Sequence, residues 1–355
     1  MKKRLLLITT GGTILQTKVN GIFKIDEDKK SSCLLEQIIK HKEELNLDKI
    51  DVHEVFKLDS SNITPYHWKK IIDEIYVNYD SYDAFVIIHG TDTLSYTCAA
   101  LAYAITNISK PVILTGAQVP FGTVGSDAEL NLENAIRVAT QEDLKLKGII
   151  CVFGSYIMTG TRVKKISEFS YDAFENFNNT EIGRIGAKIH FNSFSVAEHN
   201  SNYGEANASE ELKIIDKFAM NEIIVLNEFP GLNSNFINGL IQSGVKGIII
   251  RAYADGNSNV GSEKDKFDNL REMYKMLEKN RIPLAVISQP SKGNTTMNNY
   301  KPGKLAKDLG GVPAYDMSTE ALTVKLGWLV GQNLSYQEIK DKLVENIKGE
   351  IEINE

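Results

Sequence analysis

Short apolar runs alternate with amphipathic stretches through the first 155 residues of the chain. Runs of this length, bounded by turn-forming residues, are typical of buried strands. The predicted strands are Leu5–Thr9, Asp51–Leu58, Phe85–Ile88, Val112–Leu114 and Gly148–Phe153. The stretches that separate them are long enough for helices.

Helices are predicted between these strands, and two of them have recognisable start signals. Thr64 and Pro65 place an N-cap residue before a proline at the first helical position. A stripe of apolar residues at helical spacing covers residues 94–105. Ser126 and Glu129 have the spacing of a capping box, which predicts that a helix begins there.

The alternation of strands and helices predicts a doubly wound, mostly parallel α/β sheet. Parallel strands need crossover connections, and helices supply them with a right-handed sense. In such sheets ligands bind beyond the carboxyl ends of the strands. Polar clusters follow Thr9, Leu58, Ile88 and Leu114, so the sequence predicts a binding site along that edge.

The regular pattern weakens between residues 191 and 216, where Asn, Ser, Glu and Gly are frequent, and then resumes. The second set of predicted elements comprises strands at Glu222–Leu226, Gly247–Ile250 and Leu284–Ser288, a helix marked by Phe267, Leu270, Tyr274 and Leu277, and two closing helices. We therefore predict an N-terminal α/β domain over residues 1–195, a linker over 196–216 and a smaller, Rossmann-like α/β domain over 217–355. Two domains also suit a chain of 355 residues, because a single hydrophobic core stops growing beyond about 250–300 residues.

Charge and cysteine content narrow the classes of function. The net charge of −6 and the short basic clusters argue against a nucleic-acid partner. Three cysteines without a CxxC pair indicate a reducing compartment and argue against a disulfide framework or zinc knuckle. No apolar stretch approaches membrane-spanning length, and the first apolar run is shorter than that of a signal peptide. We expect a cytoplasmic protein with no membrane partner.

Four polar clusters are candidates for chemistry, and each also has a plain structural explanation. They are Thr9–Ile14, Leu58–Asn62, His89–Leu94 and Arg162–Lys165. The structural explanations are a tight glycine turn, an Asx or Ser turn, a helix cap formed by Thr91 or Asp92, and a solvated basic loop. Taken singly, the clusters leave both explanations open. His89 is expected to pack or to hydrogen-bond locally.

Together the clusters would supply the parts of a hydroxyl-based reaction. Thr13 would display its hydroxyl at the end of the first strand, but a hydroxyl nucleophile needs an activating group. A lysine held near a carboxylate and a hydroxyl can transfer protons. No set of metal ligands and no Ser-His-Asp or Cys-His arrangement is signalled. Neither the GxGxxG nor the P-loop pattern is present, so a phosphate cradle is not favoured.

Two signatures in this chain resemble those of the bacterial L-asparaginase family, specifically its cytoplasmic type. Residues 10–14, Thr-Gly-Gly-Thr-Ile, resemble the first signature, and residues 89–93, His-Gly-Thr-Asp-Thr, the second. Further similar segments are Leu58–Ser61, Lys110–Val112, Thr115–Gln118, Ser126-Asp127, Asn131-Leu132, Arg162–Lys165 with Tyr171–Phe174, Ala252–Asn257 and Met297–Tyr300. The resemblance spans nearly the whole chain, and the paired signatures are more specific than either alone.

The resemblance implies an enzyme that hydrolyses the side-chain amide of L-asparagine to L-aspartate and ammonia without a cofactor or metal. It implies that Thr13 is the nucleophile and forms an acyl-enzyme. Thr91, Asp92 and Lys165 would form the proton-relay group. The family also implies a homo-oligomer, a dimer or tetramer.

The resemblance further implies how the substrate is held. Asp92 would bind its ammonium group, Ser60 its α-carboxylate, and Ser61 would line the same pocket. In the family a neighbouring subunit's second domain completes the active site, and Asn257 is a weaker candidate for that contribution. The family usually has a Tyr on the loop after the first signature. Here the nearest aromatic residue is Phe23, which has no phenolic proton to exchange.

Two alternatives to an asparaginase stay open at this point. One is a glutaminase-asparaginase, or the amidotransferase component that delivers ammonia to a charged tRNA. Relatives of that component usually carry an extra N-terminal domain, and a first signature that begins at residue 10 leaves no room for it. The other is an amino-acid-binding α/β protein without catalysis, which the fold alone permits.

Overall fold

The computed structural model describes residues 2–12, 16–19, 22–25, 42–142, 144–204, 211–261 and 269–353, with the backbone alone at 16–19 and 22–25. The chain divides into two compact units, Met1–Asp216 and Lys217–Glu355. Each unit is an α/β structure, and the predicted fold class is confirmed.

The strands of the first unit are β1 (Lys3–Gly11), β2 (Gln16–Val19), β3 (Ile22–Ile25), β4 (Leu47–Leu58), β5 (Ala84–Ile88), β6 (Ile105–Thr106), β7 (Pro111–Thr115), β8 (Gly148–Phe153), β9 (Tyr156–Thr159), β10 (Val163–Lys165), β11 (Phe174–Asn176), β12 (Gly183–Ile185), β13 (Ile189–Phe191) and β14 (Lys213–Ile214). Its helices are α1 (Pro65–Asn78), α2 (Leu94–Ala104), α3 (Ala128–Ala139) and α4 (Ser193–Ser201). The predicted strands and helices of this half are all present.

An eight-stranded sheet organises the first unit, in the order β13-β12-β9-β8-β7-β5-β1-β4. The five strands from β8 to β4 pair in parallel, and β9, β12 and β13 extend the sheet in antiparallel fashion. Strands β5 and β8 are buried along their whole length, which explains why they read as continuous apolar runs. From β1 the chain first goes to β4 on one side and then to β5 on the other. The strand order therefore reverses at β1, which creates a switch point where ligands bind in such sheets.

Besides this sheet, the described part of the first unit contains three two-stranded ribbons. Strands β10 and β11 form an antiparallel pair, and so do β2 and β3, in which Phe23 lies opposite Lys18. Phe23, which the resemblance places on a loop, therefore lies on a strand of an antiparallel pair. Within the stretch expected to be a linker, α4 and β14 belong to the first unit, and β14 pairs with β6.

One predicted helix start is wrong and another is confirmed. Helix α1 begins at Pro65 with Thr64 at the N-cap, as expected. Helix α3 begins at Ala128 with Asp127 at the N-cap, so the capping box expected at Ser126 and Glu129 is absent. The Ser126 hydroxyl donates to the carbonyl of Val119 in the preceding loop (3.0 Å), and its oxygen accepts from the amide of Ala128, the first residue of the helix (3.2 Å).

The second unit contains a four-stranded parallel sheet in the order β15-β16-β17-β18. These strands are β15 (Ile223–Asn227), β16 (Gly247–Ala252), β17 (Leu284–Ser288) and β18 (Gly311–Pro313), and the helices are α5 (Ile237–Gln242), α6 (Arg271–Lys279), α7 (Lys301–Asp308), α8 (Thr319–Gly331) and α9 (Tyr336–Leu343). Phe267, which was expected to belong to α6, lies outside the described residues. None of the helices in the described part of either unit has the length and apolarity needed to cross a bilayer.

A fully buried ion pair fixes the last segment of the second unit. The Lys325 ammonium in α8 lies 2.6 Å from Glu350 Oε1, and neither side chain is exposed to solvent. Lys325 also donates to the carbonyl oxygens of Leu343 (3.1 Å) and Glu345 (2.6 Å). Burial lowers the pKa of Lys325, and the charge of Glu350 opposes that shift. The residues after α9 are thus attached to the core by charge-assisted contacts.

We predict that Glu350→Ala lowers the free energy of unfolding by about 3–5 kcal/mol, because it leaves a buried ammonium without a counter-charge. Glu222→Ala is the matched control, since it breaks the partly exposed contact with Lys246 (2.9 Å). That control is expected to cost about 1 kcal/mol or less. Urea denaturation of both variants measures the difference, and equal losses would contradict the prediction.

Candidate active site

The ends of β1, β4 and β5 meet at the switch point of the first sheet. The amide of Gly12 donates to the carbonyl of Leu58 at the end of β4 (3.1 Å). The buried Thr10 hydroxyl donates to the carbonyl of Ile88 at the end of β5 (2.9 Å). Three of the four predicted clusters are therefore brought to one place by backbone pairing.

Glycine is required where these strand ends approach each other. Gly11 and Gly12 have φ angles of +98° and +81°, which side chains of L-residues rarely allow. A Cβ atom on Gly11 would lie 2.4 Å from the oxygen of Leu58, and one on Gly12 would lie 2.5 Å from the nitrogen of Gly90. The tight-turn explanation is thus correct for these glycines, and the turn is what allows the clusters to touch. Thr13, the predicted nucleophile, lies outside the described residues.

The second cluster, after β4, forms a short 3-10 turn over Ser60–Asn62. Asp59 Oδ1 accepts from the amide (3.0 Å) and hydroxyl (2.7 Å) of Ser61, which is the Asx turn that the sequence left open. The buried Ser60 hydroxyl oxygen accepts from the amide of Asp92 (3.2 Å). Ser60 therefore contacts the third cluster directly, while the Ser61 hydroxyl is used within its own turn.

The third cluster does not cap α2 in the predicted way. The N-cap residue is Thr93, and its hydroxyl donates to the carbonyl of Ser60 (2.8 Å) instead of capping the helix. The plain structural explanation, a helix cap formed by Thr91 or Asp92, is therefore wrong. Because neither side chain caps the helix, both are available to Lys165.

Lys165, the last residue of β10, connects the fourth cluster to the third. Its ammonium group lies 2.9 Å from Thr91 Oγ1 and 2.8 Å from Asp92 Oδ1. Thr91 is buried, whereas the Asp92 side chain is 60% exposed and the Lys165 side chain 22% exposed. The neighbouring Lys164 lies instead over the Phe177 ring, 4.1 Å from its centroid. A solvated basic loop is therefore the wrong description of Lys165.

His89 is buried beneath this cluster and hydrogen-bonds locally, as expected. Its Nδ1 donates to the carbonyl of Gly90 (2.7 Å), and its Nε2 accepts from the hydroxyl of Thr97 (2.9 Å). The Thr97 oxygen in turn accepts from the indole of Trp68 (3.0 Å). Burial lowers the pKa of His89 to about 4, so the ring is neutral and supports the turn through this chain of hydrogen bonds.

Asn257 lies in the second unit, in the turn that follows β16. Its Oδ1 accepts from the amide of Gly303 (3.1 Å), and its Nδ2 donates to the carbonyl of Ala254 (2.8 Å). Both ends of the side chain thus hold local backbone. Its contribution to a neighbouring subunit's site stays a prediction.

Sequence reasoning assigned no role to several polar residues that are hydrogen-bonded to one another and to the turn after Lys165. Gln118, Asp127 and Asn131 appeared only as segments similar to the family, yet they form a connected set of hydrogen bonds. Asp127 is the N-cap of α3, where aspartate is common, but Asn131 is buried within the helix, at a position where a helix facing the core normally has an apolar residue. That departure from the helical pattern was the available signal.

A hydroxyl, a carboxylate and an ammonium group thus lie together at the switch point of a mostly parallel sheet. This combination defines an α/β protein with a polar site of the kind that binds small molecules. The family model "Asparaginase, N-terminal" matches residues 4–197, and "Glutaminase/Asparaginase C-terminal domain" matches residues 222–343. The chain belongs to the asparaginase family.

Individual proteins are also similar to this chain over nearly its full length. L-asparaginase 1 of Escherichia coli K12 is 30% identical over 353 residues, covering 99% of this chain and 98% of the relative. One component of the glutamyl-tRNA(Gln) amidotransferase of Sulfolobus acidocaldarius is 28% identical over 98% of this chain and 75% of the relative. The crystal structure of L-asparaginase I from Vibrio cholerae has a TM-score of 0.84 at 30% identity, covering 99% of this chain and all of that one.

We predict that Gly12→Ala destabilises the first unit by at least about 2 kcal/mol, because the backbone is left-handed there and the methyl group overlaps Gly90. Gly239→Ala is the control, since this helical glycine has open space around it. That change is expected to stabilise α5 by about 0.5–1 kcal/mol. Thermal unfolding compares the two, and a neutral Gly12→Ala would refute the steric argument.

Two buried histidines predict acid sensitivity of the first unit. Burial lowers the pKa of both His89 and His199 from 6.5 to about 4. The unfolded chain binds protons first as pH falls, so stability is full above about pH 6.5 and decreases toward pH 4. Each histidine contributes on the order of 3 kcal/mol to this loss. Urea titrations of His199→Gln should show a smaller dependence on pH, whereas His190→Gln, at an exposed position, should behave as wild type.

Proposed function

We propose that this chain is an L-asparaginase that hydrolyses L-asparagine to L-aspartate and ammonia through an acyl-enzyme on Thr13. The observation that carries the proposal is the contact of the Lys165 ammonium with both Thr91 and Asp92, beside the glycine turn that leads to position 13. Membership of the asparaginase family and the resemblance to L-asparaginase 1 support the choice of substrate.

The proposed reaction has two steps. The Thr13 oxygen forms a bond to the side-chain carbonyl carbon of asparagine, the carbon–nitrogen bond breaks, and ammonia leaves with the proton of the Thr13 hydroxyl. Water then attacks the resulting ester, releases aspartate and restores the hydroxyl. Thr91 and Lys165 move the protons, because a hydroxyl and an amine 2.9 Å apart can exchange one directly.

The hydrogen bonds of the site also suggest how asparagine is held. Lys165 contacts Asp92 Oδ1, which leaves Oδ2 for the substrate's ammonium group. The Ser60 oxygen already accepts from the amide of Asp92, so its own proton is available to an α-carboxylate. The Ser61 hydroxyl donates to Asp59, so toward a ligand it acts as an acceptor.

The decisive experiment measures ammonia release from asparagine by wild type, Thr13→Ala and Lys165→Met. We expect no turnover by Thr13→Ala, and a decrease of about 10²–10⁴-fold in kcat for Lys165→Met, as for loss of a proton-transfer group. Lys164→Met is the matched control and should keep the wild-type rate, since its ammonium lies over Phe177. Equal rates for wild type and Thr13→Ala would end the assignment of the nucleophile.

The amidotransferase relative makes glutamine the substrate to compare. One methylene group changes kcat/KM by only about 10–200-fold, so some glutamine hydrolysis is expected beside a preference for asparagine. A preference for glutamine would favour the glutaminase alternative. Binding of asparagine in calorimetry without any turnover would favour a non-catalytic binding protein.

We also propose a cytoplasmic location and a homo-oligomer of two or four chains. Cys98 and Cys151 are both buried free thiols, which suits a reducing compartment. Light scattering of the purified chain would determine the number of subunits, and a monomer would contradict this part of the proposal.

A further inference from the structure

A buried carboxylate organises the segment between β7 and α3, next to the candidate site. Asp127 accepts from the backbone amides of Gln118 (3.0 Å) and Val119 (2.9 Å). Its Oδ2 also accepts from the side-chain amide of Asn131 (2.9 Å). The backbone at Gln118 is therefore held firmly by a group that is itself shielded from water.

Asn131 ties the same set of contacts to the ends of two central strands. Its Nδ2 donates to the carbonyl of Gly116 (3.0 Å), just after β7, and its Oδ1 accepts from the amide of Gly154 (3.1 Å), just after β8. Asn131 is 1% exposed, so these bonds do not compete with solvent. Gln118 is thus anchored to the frame of the parallel sheet.

The side chain of Gln118 connects this frame to the turn that follows Lys165. Its Nε2 donates to the carbonyl oxygens of Ser167 (3.3 Å) and Ser170 (3.2 Å), which uses both protons of the amide. The Ser167 hydroxyl oxygen closes the turn by accepting from the amides of Phe169 (3.0 Å) and Ser170 (2.8 Å). One carboxamide therefore holds both ends of a turn that begins two residues after Lys165.

We propose that Gln118 is a positioning residue for Lys165, and this inference rests on the proposed function of that lysine. Lysine has a long flexible stem, so its ammonium reaches two acceptors at once only if its backbone is held in place. Lys165 ends β10, and the turn held by Gln118 determines how the chain leaves that strand. Misplacement of a reacting group by about 1 Å is enough to lower a rate on the order of 100-fold.

The far side of the turn has its own attachment. Asp172 Oδ1 accepts from the amide (2.8 Å) and hydroxyl (2.9 Å) of Ser155. The amide of Ile166 donates to the carbonyl of Ala173 (2.8 Å). Loss of the Gln118 side chain is therefore expected to shift the turn without unfolding it.

The first test compares Gln118→Ala with Gln332→Ala. Gln332 is a matched control because its Nε2 also donates to two backbone carbonyls, those of Lys217 (2.9 Å) and Trp328 (2.9 Å), but in the second unit. We expect similar small decreases in melting temperature for both variants. Only Gln118→Ala should lower kcat, by about 10–100-fold, with KM within about threefold of wild type.

The second test is a double-mutant cycle with Lys165→Met. If Gln118 acts through Lys165, Gln118→Ala should cause no further decrease in kcat once Lys165 is replaced. The inference would be overturned if the kcat losses of the two single variants multiply in the double variant, or if Gln118→Ala alone keeps the wild-type kcat.

The third test does not depend on turnover. An amine-acylating reagent is applied to the folded protein, and mass spectrometry gives the ratio of modified Lys165 to modified Lys164. We expect this ratio to rise in Gln118→Ala and to stay at the wild-type value in Gln332→Ala. An inactive wild type with this response refutes the proposed function but keeps the positioning role. An active wild type with no response in either the ratio or kcat refutes the positioning role.

Discussion

The close approach of three strand ends around Gly12 is the constraint on which the candidate site depends. The left-handed turn at Gly11 and Gly12 leaves no space for a Cβ atom beside Leu58 and Gly90. Two hydrogen bonds from this turn, at Gly12 and Thr10, hold the ends of β4 and β5 against β1. The contacts between Ser60, Asp92 and Thr93 start from the segments that this turn holds together.

The site built on that turn combines rigid and accessible parts. Ser60 and Thr91 are buried and fixed by hydrogen bonds, and a neutral His89 holds the carbonyl of Gly90, the residue before Thr91. Asp92 is largely exposed, so a ligand can reach its carboxylate without displacing the buried groups. This arrangement suits catalysis, because the groups that position the reacting atoms must be rigid, and the group that binds the substrate must be accessible to it.

Four of the parallel strands, β1, β5, β7 and β8, could be predicted from the sequence because they are buried almost along their whole length and therefore read as unbroken apolar runs, whereas the edge strand β4 is only partly buried. Strands β9 to β13 have only three or four residues each, and so short a strand has no visible period. The capping box at Ser126 failed because Ser126 lies one residue before the N-cap, Asp127, and its hydroxyl oxygen accepts from the amide of Ala128, an offset that spacing cannot show. The residues of the site could be named from motifs and resemblance. Their contacts could not be derived, since Lys165 meets Thr91 across 74 positions of sequence and only the fold brings them together.

The two partners of Lys165 differ in exposure to solvent, so the two contacts respond differently to ionic strength. Dissolved salt screens the attraction between charges that water can reach, and it acts weakly on buried contacts. The contact with Asp92 lies mostly in solvent, whereas the contact with Thr91 is shielded and involves an uncharged partner. Rising ionic strength would therefore loosen the ammonium from the carboxylate while leaving it on the hydroxyl, so the two partners of one lysine can be separated without changing a single residue.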